Sequence, residues 1–138
     1  MKKDTEDLIN EIVEGKDVAE YLESNKEEFL DIPLFTYLKE LLDKKGMRVA
    51  HVADASNKGE YIYQVFRGIK TPSRDVVLCI ALAMKLDLTG TQYLLRIARM
   101  PYLDARNRRD SILIFGISRG ISVVDVNDIL HEFNEACL

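Results

Sequence analysis

Two short apolar segments joined by a polar link constrain the fold of this chain more than any other feature. The first segment runs from Val49 to Ala55, and Ser56-Asn57-Lys58-Gly59 joins it to the second, Tyr61 to Pro72. The second segment carries Ile62, Val65 and Phe66 on one side of a short helix, which Gly68 ends and Pro72 keeps from continuing. Two short helices with a tight, glycine-containing turn are typical of a helix-turn-helix.

Helical spacing of apolar residues continues on both sides of these segments, and no strand pattern interrupts it. Upstream, the spacing of leucines predicts a helix that begins with Asp31 as its N-cap and Pro33 in its first turn, and that ends at Gly46. Downstream, Ser73 caps a helix from Arg74 to Leu86 that is apolar on most sides, so we expect it at the centre of the core. Asp87 caps the next helix, Thr89 to Arg99.

The first thirty residues predict one or two amphipathic helices, with Asp4 and Asp17 as caps and Gly15 between them. Residues 1–31 hold four basic and eleven acidic side chains, a net charge of −7. Two interpretations remain open for this segment. It is a peripheral helix pair packed on the rest of the domain, or it is an arm that binds a partner.

The C-terminal part of the chain repeats itself without a gap at an interval of 35 residues. Arg74-Asp75 aligns with Arg109-Asp110, Gln92 with Asn127, and Leu94-Leu95 with Ile129-Leu130. Such a match predicts a duplicated helix pair. The outer apolar face of the second pair either completes the bundle within the monomer or forms a dimer surface. We predict three segments: acidic N-terminal helices at 1–31, the helix-turn-helix domain at 32–103, and a C-terminal helical hairpin at 104–138 that repeats 74–103.

Charge and composition exclude several classes of protein. The net charge of −4 argues against a protein that simply coats nucleic acid, but residues 32–73 and 74–108 each carry +3, which fits local contact with phosphates. No apolar run approaches the ~18 residues needed to cross a bilayer, and no apolar signal core follows the N-terminus. Cys79 and Cys137 form no redox-like pair. We expect a cytoplasmic protein without a membrane partner.

The sequence contains no catalytic or metal-binding constellation. His51 and His131 are far apart, and neither lies in a known metal-ligand spacing. Glycines are scattered, with no loop suited to hold a phosphate. We therefore predict a protein that is not an enzyme and that uses no cofactor or metal.

The binding chemistry is concentrated around the second helix of the predicted helix-turn-helix, whose leading end meets base edges in this motif. Gln64 has the donor and acceptor needed to read adenine, whereas Glu60 suits only a cytosine amino group. Basic side chains around the helix would contact the phosphate backbone and fix its register. The predicted base-facing residues are Lys58, Gly59, Glu60, Tyr61, Tyr63 and Gln64, and the predicted phosphate contacts are Arg48, Arg67, Lys70 and Arg74. For Tyr61 and Phe66, a place in the core is the competing interpretation.

Two strings of residues resemble a known family. Tyr61 to Pro72, followed by Ser73-Arg74-Asp75, and the later string Arg106-Asn107-Arg108-Arg109-Asp110 resemble the phage-repressor-type (Cro-like, XRE-like) helix-turn-helix regulators of bacteria, most closely a Firmicutes subgroup. The resemblance covers about residues 32–138. It implies an all-α, λ-repressor-like helix-turn-helix domain with an appended helix pair. It also implies a transcriptional regulator that binds double-stranded DNA, commonly as a homodimer on a palindromic site.

A second function remains open beside this one. The turn Asn57-Lys58-Gly59-Glu60 is one residue shorter than the family spacing, and the chain as a whole is acidic. These features suit a protein-interaction adaptor on the same scaffold, with lost or weak DNA binding. Its partner would bind the acidic N-terminal helices or the C-terminal hairpin.

Overall fold

The computed structural model of the protein describes residues 3–29 and 31–138, and these residues form nine α-helices and no strand. The all-α prediction is therefore confirmed. The helices are α1 (Thr5–Glu14), α2 (Val18–Ser24), α3 (Leu34–Lys45), α4 (Val49–Ala55), α5 (Glu60–Phe66), α6 (Arg74–Ala83), α7 (Leu88–Ile97), α8 (Arg108–Arg119) and α9 (Val123–Glu132), with a 3₁₀ turn at Lys26–Glu28. None of them is long and apolar enough to cross a membrane. The chain divides into two compact units, Met1–Asp31 and Ile32–Leu138.

The N-terminal unit contains α1 and α2, and neither helix has a buried residue. The Asp17 carboxylate accepts a hydrogen bond from the Ala19 N–H at 3.0 Å and so caps α2, as predicted. Gly15 follows the last residue of α1. So small a unit exposes apolar side chains that a larger core would cover. They are Ile9, Ile12, Val13, Val18 and Leu22.

In the C-terminal unit, α3 begins later than the sequence predicted. Its N-cap is Pro33 and not Asp31, because the Pro33 carbonyl accepts the first helical hydrogen bonds, from the N–H groups of Thr36 and Tyr37, both at 3.1 Å. The extended ψ of 142° at Pro33 keeps this residue outside the helix. The predicted end is confirmed, since Gly46 adopts a left-handed φ of 62°.

Helix α6 forms the centre of this unit, as its composition predicted. Every residue from Val76 to Ala83 is buried, and the helix packs against α4, α7 and α9. Ser73 caps it by accepting from the Val76 N–H at 3.3 Å. The helix ends at Ala83 and not at Leu86, because Lys85 has a φ of 56° and turns the chain out of the helix.

Helices α8 and α9 belong to the same compact unit as α3 to α7. They pack against each other, and α7 contacts α8 while α6 contacts α9. Residues 32–138 thus form one compact unit.

Two reciprocal ion pairs join α6 to α8. Arg74 Nη1 and Nη2 donate to the two carboxylate oxygens of Asp110, both at 3.0 Å. Arg109 Nη1 and Nη2 donate to the two carboxylate oxygens of Asp75, at 2.9 and 3.1 Å. The residues of each pair thus lie 35 positions from the corresponding residues of the other, and each helix supplies one arginine and one aspartate.

A second set of contacts recurs at the same interval. The Gln92 side chain accepts from the Leu103 N–H at 2.8 Å and donates to the Leu103 carbonyl at 2.9 Å. Asn127 accepts from the Leu138 N–H at 2.7 Å and donates to the Leu138 carbonyl at 3.5 Å. In each case an amide side chain holds the segment that follows its helix.

Candidate nucleic-acid interface

The turn between α4 and α5 is held closely against the end of α4. Ser56 is fully buried, and its hydroxyl donates to the Ala53 carbonyl at 3.1 Å while accepting from the Lys58 N–H at 3.3 Å. The Gly59 N–H also donates to the Ala53 carbonyl, at 3.2 Å. A buried hydroxyl with both a donor and an acceptor partner makes this turn a defined structure and not a loose loop.

Gly59 sets the direction in which α5 leaves the turn. It is the N-cap of α5, with φ 58° and ψ −133°, a conformation that residues with a Cβ adopt only at a cost. Asn57 has a φ of 64°, which asparagine tolerates better than most residues. Gly59 was predicted to face DNA bases. It is exposed, and its backbone conformation explains why a glycine occupies this position.

Helix α5 has one buried and one open face. Ile62, Val65 and Phe66 are buried, and α5 packs against α3 and α4. Positions 60, 64 and 67 follow the i, i+4, i+7 spacing of the opposite face, where Glu60 and Arg67 are exposed and Gln64 is partly exposed. Arg67, predicted as a phosphate contact, therefore shares its face with Gln64.

The two tyrosines of α5 lie at the flanks of the open face. Both are partly buried and pack against the hydrophobic core. The Tyr61 hydroxyl donates to the Thr71 carbonyl at 3.3 Å, so this side chain braces the segment that follows α5. The Tyr61 hydroxyl, predicted to face bases, thus already has a partner within the protein.

Three of the four predicted phosphate contacts are open to solvent. Arg48 is the N-cap residue of α4, Arg67 ends α5, and Lys70 follows it; all three are exposed. Within residues 3–29 and 31–138, their side chains form no ion pair. Lys58, in the turn, is partly exposed. Unpaired cationic groups of this kind are suited to phosphate contacts.

Arg74 is placed differently from the other predicted phosphate contacts. Its guanidinium donates to both oxygens of Asp110 and also to the carbonyls of Pro101 and Tyr102, at 3.0 and 3.1 Å. Four of its five N–H groups are therefore used within the protein. We accordingly exclude Arg74 from the candidate interface. The signal available in the sequence was the Arg-Asp dipeptide that recurs at residues 109–110.

One titratable group near this region, the Cys79 thiol, has a shifted pKa. Burial raises the pKa of the Cys79 thiol to about 11, although the nearby Lys58 acts in the opposite direction. The thiol therefore stays protonated and is a poor nucleophile. In the part of the chain that the structure describes, no three His, Cys, Asp or Glu side chains are grouped as metal ligands would be.

Comparison with known proteins adds no relative: no family model matches the chain, and no curated protein or solved structure is significantly similar to it.

Proposed function

We propose that this protein is a DNA-binding transcriptional regulator in which α4 and α5 form a helix-turn-helix and α5 is the recognition helix. The observation that carries the proposal is the open face of α5, where Glu60, Gln64 and Arg67 lie opposite a buried face. A recognition helix needs such a division, because one side must pack on the domain while the other enters the major groove.

The distribution of charge supports the same function. Arg48 and Lys70 lie at the start of α4 and just after α5, and both are exposed without an ion-pair partner in the described parts of the chain. They would contact phosphates on either side of the groove and fix the register of α5. Gln64 would then read an adenine, and Glu60 would accept from a cytosine amino group.

We further propose that residues 74–103 and 104–138 are a duplicated helix pair that serves as a rigid support for the helix-turn-helix. The recurrence of the arginine–aspartate and amide–backbone contacts at an interval of 35 residues supports this. In this proposal the protein acts in the cytoplasm on double-stranded DNA, without a cofactor and without catalysis.

The experiment that tests the function is a selection of duplexes from a randomised pool by the full chain at low salt, followed by measurement of affinity against salt concentration. We expect an enriched sequence. We also expect Arg48→Ala with Lys70→Ala to weaken binding to all duplexes and to reduce the slope of log K against log salt by about 2, since each lost phosphate contact removes roughly one unit.

A matched control removes two positive charges elsewhere. Lys44 and Arg106 are exposed and are not among the residues assigned to the proposed interface. Lys44→Ala with Arg106→Ala should leave the salt slope near that of the unaltered chain. A protein that binds no duplex above background at low salt would overturn the proposal.

One observation favours a second function, that of a protein-interaction adaptor. Glu60 is exposed at the leading end of α5, where its carboxylate would meet the phosphate backbone unfavourably. If the selection yields no sequence and a single stoichiometric protein partner is recovered in place of DNA, the adaptor function is the correct one.

A further inference from the structure

Helices α6 and α8 make similar contacts, but only α6 is covered on a third side. Helix α6 packs against α7, α9 and α4. Helix α8 packs against α9 and α7 and meets α6 through the two ion pairs at the starts of these helices, without comparable packing against a third helix within the described residues. On α6, Val77, Ile80 and Met84 are no more than 1% exposed. These three residues share one face of the helix by their spacing.

The residues 35 positions later on α8 lie open. Ile112 is only partly buried, Phe115 is 44% exposed, and Arg119 is exposed. Large apolar side chains are the costly groups to leave in water. We call the face formed by Arg108, Ser111, Ile112, Phe115 and Arg119 the α8 stripe.

The α8 stripe is apolar at its centre and cationic at both ends. The Arg119 guanidinium lies over the Phe115 ring, 3.8 Å from its centroid, and holds a positive charge beside the apolar group. The Arg108 side chain is 68% exposed, although its Nε lies 3.6 Å from Glu135 and its Nη2 donates to the Phe133 carbonyl. The one acidic residue of α8, Asp110, is buried against Arg74. The acidic neighbour of the stripe is Glu135 beside Arg108, and Arg119 has no ion-pair partner within the described residues.

From this face we propose that the α8 stripe binds an acidic amphipathic helix of a partner protein. The corresponding residues of α6 are buried in a core made of helices, and α4 is one of the helices that pack against α6. We therefore expect a helix to be the element that packs on the α8 stripe. Charge complementarity selects an acidic partner, because carboxylates beside its apolar face would pair with Arg108 and Arg119. These arginines are eleven residues apart on one helix, so the partner carboxylates would lie about 16 Å apart. The inference rests on packing and charge and does not depend on DNA binding.

The test uses the full chain and a fluorescein-labelled, designed 18-residue helical peptide with leucines on one face and glutamates beside them. The reference peptide has the same leucines, with lysine in place of every glutamate. By fluorescence anisotropy, we expect the glutamate peptide to bind at least about tenfold more tightly than the lysine peptide, and Phe115→Asp to weaken it by about tenfold or more. Arg119→Glu should remove the preference for the glutamate peptide.

Val124→Asp is the matched control. Val124 is 57% exposed, but it lies 35 positions after Thr89, which is exposed and therefore not part of a covered face. This variant should bind the glutamate peptide as the unaltered chain does, and circular dichroism should show that both aspartate variants are folded.

Three results would overturn the proposal. They are no binding of the glutamate peptide, equal affinity for the two peptides, or equal loss of binding in the Phe115 and Val124 variants. A sedimentation experiment on the full chain gives a fourth result that would overturn the proposal. A dimer that Phe115→Asp dissociates would show that a second copy of the chain covers the stripe in place of an acidic helix.

Discussion

The Arg74 guanidinium donates to both carboxylate oxygens of Asp110 at 3.0 Å, and this contact ties the start of α6 to the first turn of α8. The reciprocal pair, Arg109 with Asp75, has the same geometry but a different environment. The Asp110 side chain is 8% exposed, whereas that of Asp75 is 39% exposed. Asp110 also accepts from the Asp104 N–H at 3.1 Å. Two ion pairs of like geometry therefore allow the effect of burial to be measured within one molecule.

Replacing Asp110 should destabilise the protein more than replacing Asp75. Asp110→Ala removes a buried carboxylate that pairs with Arg74 and also accepts from the Asp104 N–H, and we expect it to lower the free energy of unfolding by about 3 kcal/mol. Asp75→Ala removes a more solvent-exposed partner, and we expect a loss of about 1 kcal/mol. Urea denaturation followed by circular dichroism measures both values. Equal losses would show that burial does not distinguish the two pairs.

The protein should lose stability in acid partly through Asp110. Burial by itself would raise the pKa of this carboxyl group. The hydrogen bonds from Arg74 and the Asp104 N–H, and the charges of Arg74 and Arg109, outweigh burial and hold the pKa below its ordinary value. A lowered pKa in the folded state means that the unfolded chain takes up the proton first as pH falls. This stabilisation is therefore complete above the ordinary aspartate pKa of about 3.9 and is lost as pH falls through the folded value.

Urea midpoints measured from pH 6 to pH 2.5 test this prediction. Asp110→Asn should be less stable than the unaltered chain at pH 6, and the difference should narrow toward the acid end. A difference that stays constant over the whole range would contradict the linkage to Asp110.

Gly116→Ala should destabilise the C-terminal helices even though alanine is the better helix former. A Cβ at this position would lie 2.6 Å from Val126 Cγ2 on α9, so the two helices would have to separate. We expect a loss of about 1–3 kcal/mol, as for other overpacked positions. Ser118→Ala on the exposed side of α8 is the control, and it should change stability by less than about 0.5 kcal/mol. A stabilised Gly116→Ala variant would show that the helix contact can relax.

Gln64→Ala should change which DNA sequences are preferred without changing the salt dependence. Gln64 lies on the open face of α5 and is uncharged, so it can discriminate bases but releases no counterions. We expect the preference for the selected sequence over its variant at one base pair to fall by about 1–3 kcal/mol. Competition binding with the two duplexes measures the effect. An unchanged preference would remove Gln64 from the base-reading residues.

Local signals in the sequence predicted most of the helix boundaries. Ser73 and Asp87 cap α6 and α7 as expected, because their side chains accept from N–H groups three residues later and need no distant partner. The predicted N-cap of α3, Asp31, was wrong. Proline suits both the first helical turn and the N-cap position, and Pro33 occupies the N-cap. The sequence predicted that α6 continues to Leu86, but the helix ends at Ala83. Lys85 adopts a positive φ there, and a lysine does not indicate that conformation in the sequence as a glycine would.

The sequence by itself determined that this chain is helical and where α4 and α5 lie, since propensity, caps and periodicity are local properties. Only the tertiary structure decided which cations are free. Arg74 and Lys70 are both basic residues just after α5 in the sequence, yet Arg74 is bound to Asp110 and Lys70 is exposed. A charge pattern does not contain that distinction, because the partner that neutralises a side chain is brought to it by the packing of distant helices.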